Sequence, residues 1–200
     1  MEAESRASLD RPGRARLSSR LMKSIPLGRV AGLRLTLVPL AFVGSALLWL
    51  VFALGGFLTI GLAPGPAIIG GAIAVLLHWV GDLVHHAGHA VAARSTGYPM
   101  AGIDVGVPFG IFAASRYPAD EGELPAAIHL RRALGGPIAS TILAAILGLV
   151  AYLGHPAGGL LRALVLFACA ENVLIFTFQV ALPLGFNDGG TIWRIILRKR

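Results

Sequence analysis

Four long runs of apolar residues, separated by shorter polar segments, dominate this chain of 200 residues. They cover about Leu35–Ile60, Ala67–Ala93, Ala133–Leu153 and Leu160–Leu182. Each run is long enough to cross a bilayer as a helix, because about 20 apolar residues span the hydrocarbon core. Turns rich in glycine and proline, at 61–66 and 154–159, separate the first run from the second and the third from the fourth. The pattern predicts an all-α polytopic membrane protein with about four transmembrane helices.

The polar segment 94–131, between the second and third runs, contains two short stretches in which apolar and polar residues alternate. Alternation with a period of two is typical of strands, so Gly102–Val107 and Phe109–Ser115 predict a small β-hairpin. Glu123–Arg132 predicts a surface helix, and Asp188–Arg200 predicts a short amphipathic helix at the end of the chain.

Residues 1–31 are polar and basic and have no apolar period, which predicts a disordered or membrane-surface tail. Residues 32–200 form the predicted transmembrane domain. The apolar run that follows the tail is longer than the core of a secretory signal peptide, which has about 7–15 residues. We therefore interpret the first run as a retained transmembrane helix.

The composition supports a membrane protein. Hydrophobic residues make up 56% of the chain, charged residues make up 14%, and the mean hydropathy is +0.75. Soluble domains have about 25% charged residues, and a chain of this size could not bury so much apolar surface within itself. Soluble globular and disordered proteins are therefore excluded. Cys169 is the only cysteine, which excludes an intrachain disulfide and any four-cysteine metal site.

The formal net charge of +7 follows the predicted topology. Lysine and arginine cluster before the first run, between the second and third runs, and at the end of the chain, whereas the turns at 61–66 and 154–159 contain none. The positive-inside rule then places both termini and the 94–131 loop in the cytosol, in a cytoplasmic membrane of bacterial type. The predicted contact is with the lipid bilayer and not with nucleic acid, because no aromatic and basic interleaving accompanies the charge.

Ionisable residues share one face of the second predicted helix. At about 100° per residue, four side chains fall within roughly 60° of one another: His78, Asp82, His85 and His89. Ionisable groups inside a membrane are costly and usually face a cavity or each other. One interpretation is a hydrogen-bonded contact between helices, without metal. Histidines four residues apart with an aspartate on the same face favour a metal site.

His85 and His89 have the spacing at which two imidazoles on successive helical turns hold one zinc ion. A catalytic zinc needs a third protein ligand and an open position for water. Asp188 is a candidate, because Pro183 ends the fourth run and lets the chain turn back toward the same side of the membrane. The alternative is that Asp188 only caps a helix, a position that aspartate favours.

Three stretches in consecutive runs resemble the site-2 protease family of intramembrane zinc metallopeptidases. Leu83–Arg94, with the sequence LVHHAGHAVAAR, is similar to the HExxH helix of that family. Gly135–Ser140 resembles its Gly-Pro-x-x-Asn motif, and Pro183–Gly190 resembles its proline-rich approach to an Asp-Gly pair. The resemblance covers about residues 67–196.

The resemblance implies that one Zn²⁺ per chain is bound by His85, His89 and Asp188. It also implies that transmembrane segments of membrane-protein substrates or partners are cleaved or bound near the cytosolic face. The chain departs from the family at four positions. His86 stands at the general-base glutamate, Ser140 and Val180 at two asparagines, and Asn187 at a leucine, with Gln179 adjacent to Val180.

These departures leave two hypotheses open. An atypical zinc metalloendopeptidase would use His86, or a carboxylate such as Asp82 or Glu171, as its base, which contributes about 10²–10⁴-fold to a rate. Alternatively, Glu171 is a structural carboxylate paired with His78. The second hypothesis is a catalytically inactive pseudoprotease that binds metal and membrane-protein partners without hydrolysis.

Overall fold

The computed structural model describes residues 24–154, 159–185 and 187–198. Its helices are α1 (Leu40–Thr59), α2 (Pro64–Ser95), α3 (Ala126–Leu153), α4 (Gly159–Glu171) and α5 (Asp188–Arg198). Its strands are β1 (Ile25–Val30), β2 (Leu33–Leu37), β3 (Gly102–Val105) and β4 (Ala113–Arg116). Helix α4 continues as a π-helical segment, Asn172–Thr177, and a 3₁₀ turn, Phe178–Ala181.

Four helical segments of the described chain are long and apolar enough to cross a membrane, as the sequence predicts. They are α1, α2, α3 and the segment Gly159–Ala181, which joins α4 to the π-helical and 3₁₀ turns. The sequence predicts a separate surface helix at Glu123–Arg132, but in the structure the residues from Ala126 onward form the first turns of α3. The helix continues through Arg132 and Ala133 because neither residue breaks a helix, although the chain changes from polar to apolar at that point.

The start of the first span differs from the prediction, which began it at Leu35. Leu33–Leu37 alternates leucine with polar residues and forms strand β2, and α1 begins only after Pro39. Strands β1 and β2 form a hairpin through Ala31 and Gly32, whose φ angles of 50° and 84° are those of a tight two-residue hairpin turn. The predicted tail 1–31 therefore ends inside a hairpin. Residues 1–23 lie outside the described residues.

The predicted β-hairpin between the second and third spans is present and belongs to a larger sheet. Strands β3 and β4 pair antiparallel, and β2 pairs parallel with β3, so the strand order is β1-β2-β3-β4. Ile103 and Ala113 of this sheet pack against Ala90 and Ala93 near the end of α2. This small apolar cluster attaches the sheet to the part of α2 that carries the histidines. Because β4 is last in the strand order, it is an edge strand.

Helices α2 and α3 meet through glycine. A methyl group added to Gly135 would lie 2.5 Å from the carbonyl oxygen of Gly88, and one added to Gly88 would overlap the carbonyl of Gly135. The two backbones are therefore in direct contact, as small residues allow between membrane helices. This contact places the face of α2 that carries His85 and His89 against α3.

We expect Gly88→Ala to destabilise the protein by about 1–3 kcal/mol, the usual cost of overpacking. The added methyl group meets backbone, which cannot rotate away as a side chain can. Thermal unfolding of the purified protein in detergent measures the effect. Gly55→Ala in α1 is the matched control, because nothing lies within 4 Å of the added methyl group and alanine favours a helix. Equal thermal midpoints for the two variants would contradict the packing described for α2 and α3.

Candidate metal centre

Two histidines of α2 and the first residue of α5 converge at one point. The candidate ligand atoms of His85, His89 and Asp188 all lie within 4.8 Å of one another. Asp188 Oδ2 is 3.1 Å from His85 Nε2 and 3.3 Å from His89 Nε2, and the two Nε2 atoms are 3.0 Å apart. The structure thus brings together the three residues that the sequence suggested as metal ligands.

The other ring nitrogen of each histidine is held by α3. His89 Nδ1 is 2.7 Å from the carbonyl oxygen of Arg132, to which it donates, and His85 Nδ1 is 3.0 Å from Ser140 Oγ. With the proton on Nδ1, the Nε2 lone pair of each ring is available to a metal ion at the point that faces Asp188; with the proton on Nε2, the ring donates to the Asp188 carboxylate. Partners of this kind orient metal-binding histidines in known sites. Ser140 therefore supports His85 at the position where the resembling family has asparagine.

A glycine of α3 leaves room at the convergence point. A methyl group on Gly136 would lie 2.5 Å from His85 Nε2 and would also overlap His89 Nε2. A side chain at this position would fill the space in front of both lone pairs. Two imidazole nitrogens and a carboxylate oxygen are a donor set that zinc prefers. The residues present therefore fit a zinc ion.

Asp188 is free to face the histidines because its neighbour caps the helix. Asn187 Oδ1 accepts the backbone N–H of Gly190 at 2.8 Å, which is the N-cap contact of α5. Burial alone would raise the pKa of Asp188, but hydrogen bonds with His85 and His89 outweigh burial and hold that pKa below its usual range. The alternative that Asp188 serves as the cap is therefore wrong.

His78 and Asp82, the other two ionisable residues on this face of α2, lie away from the point where His85, His89 and Asp188 converge. His78 Nδ1 is 2.7 Å from Glu171 Oε1, and His78 Nε2 is 2.5 Å from the carbonyl oxygen of Ile111. Asp82 Oδ2 accepts the backbone N–H of Ala113 at 2.5 Å. The pairing of Glu171 with His78 agrees with the structural alternative drawn from the sequence. His78 thus holds the segment between β3 and β4, and Asp82 holds the first residue of β4, against the membrane spans.

His86 lies beside the three converging residues, but its ring nitrogens face other groups. Its Nδ1 is 2.8 Å from Ser115 Oγ, and its Nε2 is 3.5 Å from Asp82 Oδ1. The centre of its ring is 5.4 Å from that of His85 and 5.6 Å from that of His89. His86 thus connects α2 to the edge strand β4.

A cavity of about 600 Å³ opens beside the convergence point. Ser115 of β4 and Tyr117 just after it line one part of the cavity. Gln179 at the end of the fourth span and Leu184 in the segment after it line another. Asp188 lies on its wall. The cavity is large enough for a short peptide segment, since ligand pockets typically measure 300–1,000 Å³.

Arg132 connects the rim of this cavity to the histidines. Its guanidinium donates to both carboxylate oxygens of Glu121, at 2.7 and 2.6 Å, and lies 4.3 Å from the ring centre of Tyr117. This contact lowers the pKa of Glu121. Because the carbonyl of Arg132 holds His89, one residue ties the loop over the cavity to the candidate metal centre.

Arg132 and Ser115 belong to the site although the sequence does not mark either of them as a site residue. Arg132 stands among the arginines that indicate topology, and Ser115 ends a predicted strand without any motif. Gly136 belongs to the quoted Gly-Gly-Pro stretch, but its role appears only when α3 is placed against α2. The pair Arg131-Arg132 directly before an apolar run was the one usable signal for a charged group at the membrane edge.

No family model and no curated protein matches this chain. Among solved structures, the site-2 protease from Methanocaldococcus jannaschii is similar, with a TM-score of 0.59 and 23% sequence identity. The likeness covers 89% of this chain and 73% of that one. A likeness at this identity shows the fold. The chain therefore has the polytopic membrane fold of that site-2 protease, with four apolar helices long enough to span a bilayer.

Proposed function

We propose that this chain is an integral membrane metalloprotease-like protein of the site-2 protease type, which holds one Zn²⁺ on His85, His89 and Asp188. The observation that carries the proposal is the convergence of three donor atoms within 4.8 Å beside a cavity of about 600 Å³. Zinc bound there would supply a Lewis acid that polarises a carbonyl oxygen. The chain's own residues orient the two imidazoles and keep the space between them open.

The proposed ligands of the cavity are extended segments from transmembrane helices of other membrane proteins. Strand β4 is the edge of the sheet, and edge strands can pair with an added chain through backbone hydrogen bonds. Asp82 takes the backbone N–H of Ala113, so the stretch available for pairing begins beyond it, where Ser115 and Tyr117 line the cavity. Asp188 lines the same cavity, so a segment added there would share it with the candidate metal centre.

The second candidate function is binding without hydrolysis, which the surroundings of His86 favour. Ser115 and Asp82 engage its two ring nitrogens, and Asp82 also accepts from the backbone of β4. Glu171 is paired with His78. Each of the three bases suggested by the sequence therefore has a structural partner, which supports a pseudoprotease that holds membrane segments next to its metal.

The test uses the full chain purified in detergent, with a photoreactive residue in place of Ser115 and, as a control, in place of Tyr152, which is 78% exposed on α3. We expect about one zinc per chain and cross-links to single-span membrane proteins from position 115 but not from position 152. Metal-dependent cleavage of the captured segments separates the protease from the pseudoprotease. Protein without bound metal would contradict the proposal.

We propose that the cavity opens on the cytosolic side of a cytoplasmic membrane, with both termini on that side. Strands β2 and β3 pair although α1 and α2 lie between them, so the segment before α1 and the 94–131 loop share one side of the membrane. The arginines of that loop support a cytosolic assignment. A reporter fused at residue 120 should read cytoplasmic and one at residue 64 should not; the reverse would overturn the orientation.

A further inference from the structure

The side chain of Gln179 approaches the candidate metal centre from the end of the fourth span. Its amide Nε2 is 3.3 Å from His85 Nε2, the same ring nitrogen that faces Asp188 at 3.1 Å. Gln179 also lines the cavity. Its carbonyl Oε1 makes no hydrogen bond to any residue that the structure describes. The amide oxygen of Gln179 is thus available for a further contact beside the donor atoms of His85, His89 and Asp188.

The local helix geometry places Gln179 there. Phe176 is 2% exposed, and the centre of its ring lies 5.7 Å from that of His85. After the π-helical segment the chain tightens into the 3₁₀ turn Phe178–Ala181. In that turn the Gln179 amide Nε2 donates to the Phe176 carbonyl oxygen at 3.3 Å, which keeps the Gln179 side chain beside His85.

The backbone of Gln179 is joined to the segment that carries Asp188. Asn187 Nδ2 donates to the Gln179 carbonyl oxygen at 3.0 Å, while the other end of the same side chain caps α5. A methyl group on Gly189 would lie 2.5 Å from that carbonyl, so only glycine allows this approach. Gln179 and Asp188 are consequently held as one unit in front of the histidines.

The amide of Gln179 can meet either a lone pair or a cation. A half-turn about its last bond exchanges the N–H₂ donor for the carbonyl acceptor. The N–H suits a bare imidazole lone pair, whereas a dication on that lone pair attracts the oxygen. Side-chain amide oxygens bind divalent ions in proteins, more weakly than carboxylates. Two other polar side chains nearby, His86 and Asn187, already have partners at both ends.

We propose that Gln179 is a fourth protein ligand of the metal ion, through its side-chain oxygen, and that it closes the resting centre until water or substrate displaces this weaker ligand. This inference rests on the proposed metal site of His85, His89 and Asp188. Zinc with four protein ligands is typical of structural sites, whereas catalytic sites keep one position open for water. A closed centre also agrees with the structural partners of His86.

The test compares Gln179→Leu, which removes the oxygen at similar volume, with Gln179→Glu, which keeps an oxygen in the same place. Val180→Ala, in the same turn, is the matched control. Zinc affinity of the full chain in detergent is measured by competition with a chelator, and coordination by the visible spectrum of the Co²⁺-loaded protein. We expect Gln179→Leu to lower zinc affinity by about 10–100-fold. Its Co²⁺ bands should weaken as water enters, while Gln179→Glu should bind at least as tightly as wild type.

Wild-type affinity and an unchanged Co²⁺ spectrum in Gln179→Leu would overturn the inference. The result separates the two proposals. Wild-type protein that binds no metal overturns the metal site and the inference together. Metal loss in His85→Ala without an effect of Gln179→Leu overturns only the fourth ligand. Rescue by Gln179→Glu distinguishes a lost ligand from a misfolded variant, and size-exclusion profiles confirm that each variant is folded.

Discussion

Replacing His85 with alanine should remove most of the bound zinc, whereas changing His78 should leave the zinc content nearly unchanged. His85 Nε2 lies 3.1 Å from Asp188 Oδ2 at the convergence point, so its loss takes away a donor from the centre itself. His78 is about two turns away on α2, or ~10 Å along the axis. Its ring is held by Glu171 and Ile111 instead. Metal analysis of the purified variants measures the difference.

The control must allow for the buried partner of His78. Removing His78 alone leaves Glu171 without its partner inside the membrane, and breaking a buried pair costs about 3–5 kcal/mol. The double variant His78→Gln/Glu171→Gln removes both ionisable groups and keeps the side chains polar. We expect it to bind zinc as the wild type does. Equal zinc loss in His85→Ala and in this double variant would indicate a different ligand set, one that includes His78 and Asp82.

A carboxylate at position 86 should create or raise proteolysis. His86→Glu restores an acid–base group directly after the first candidate ligand, and a positioned base contributes on the order of 10²-fold or more to a rate. In this structure the new carboxylate would face Asp82, since His86 Nε2 is 3.5 Å from Asp82 Oδ1. Two buried carboxylates at such a distance repel each other. Asp82→Asn removes the repulsion and keeps an oxygen to accept from Ala113.

The comparison is therefore between His86→Glu/Asp82→Asn and Asp82→Asn alone, with His86→Gln/Asp82→Asn as the uncharged control. Cleavage of a tagged single-span membrane protein by the purified chains is the measurement. We expect the glutamate variant to exceed both others by about 10²-fold. If it retains zinc but cleaves no faster, position 86 is not what limits hydrolysis. Binding without cleavage would then describe the protein better.

The four membrane spans could be predicted from the sequence, but their ends could not. Hydropathy reports which solvent a residue prefers, and a run of about 20 apolar residues has few alternatives to a membrane helix. It does not report backbone geometry where the solvent changes. For that reason the hydropathy pattern places part of Leu33–Leu37 in the first span, although it pairs as a strand, and separates Glu123–Arg132 from α3, although the helix continues through it.

The candidate site was predictable where it depends on spacing within one helix. His85 and His89 follow from the period of α2, and Asp188 follows from the break at Pro183 and the resemblance to a known family. The approach of Gln179 depends on how α4 ends, because the π-helical and 3₁₀ turns change which side chains face α2. The partners of His86 depend on a strand that is distant in sequence. Neither property has a local signal in the sequence.

The parallel pairing of β2 with β3 has a consequence for biosynthesis. Strand β2 leaves the ribosome before α1, but its partner begins only at residue 102, after both α1 and α2. At 5–20 residues per second, the roughly 65 residues between them take about 3–13 s to synthesise. During that interval the N-terminal hairpin waits at the membrane surface with an unpaired side. The sheet that presents β4 to the cavity is therefore completed only after two helices have been inserted, so assembly of the cavity wall is coupled to their correct insertion.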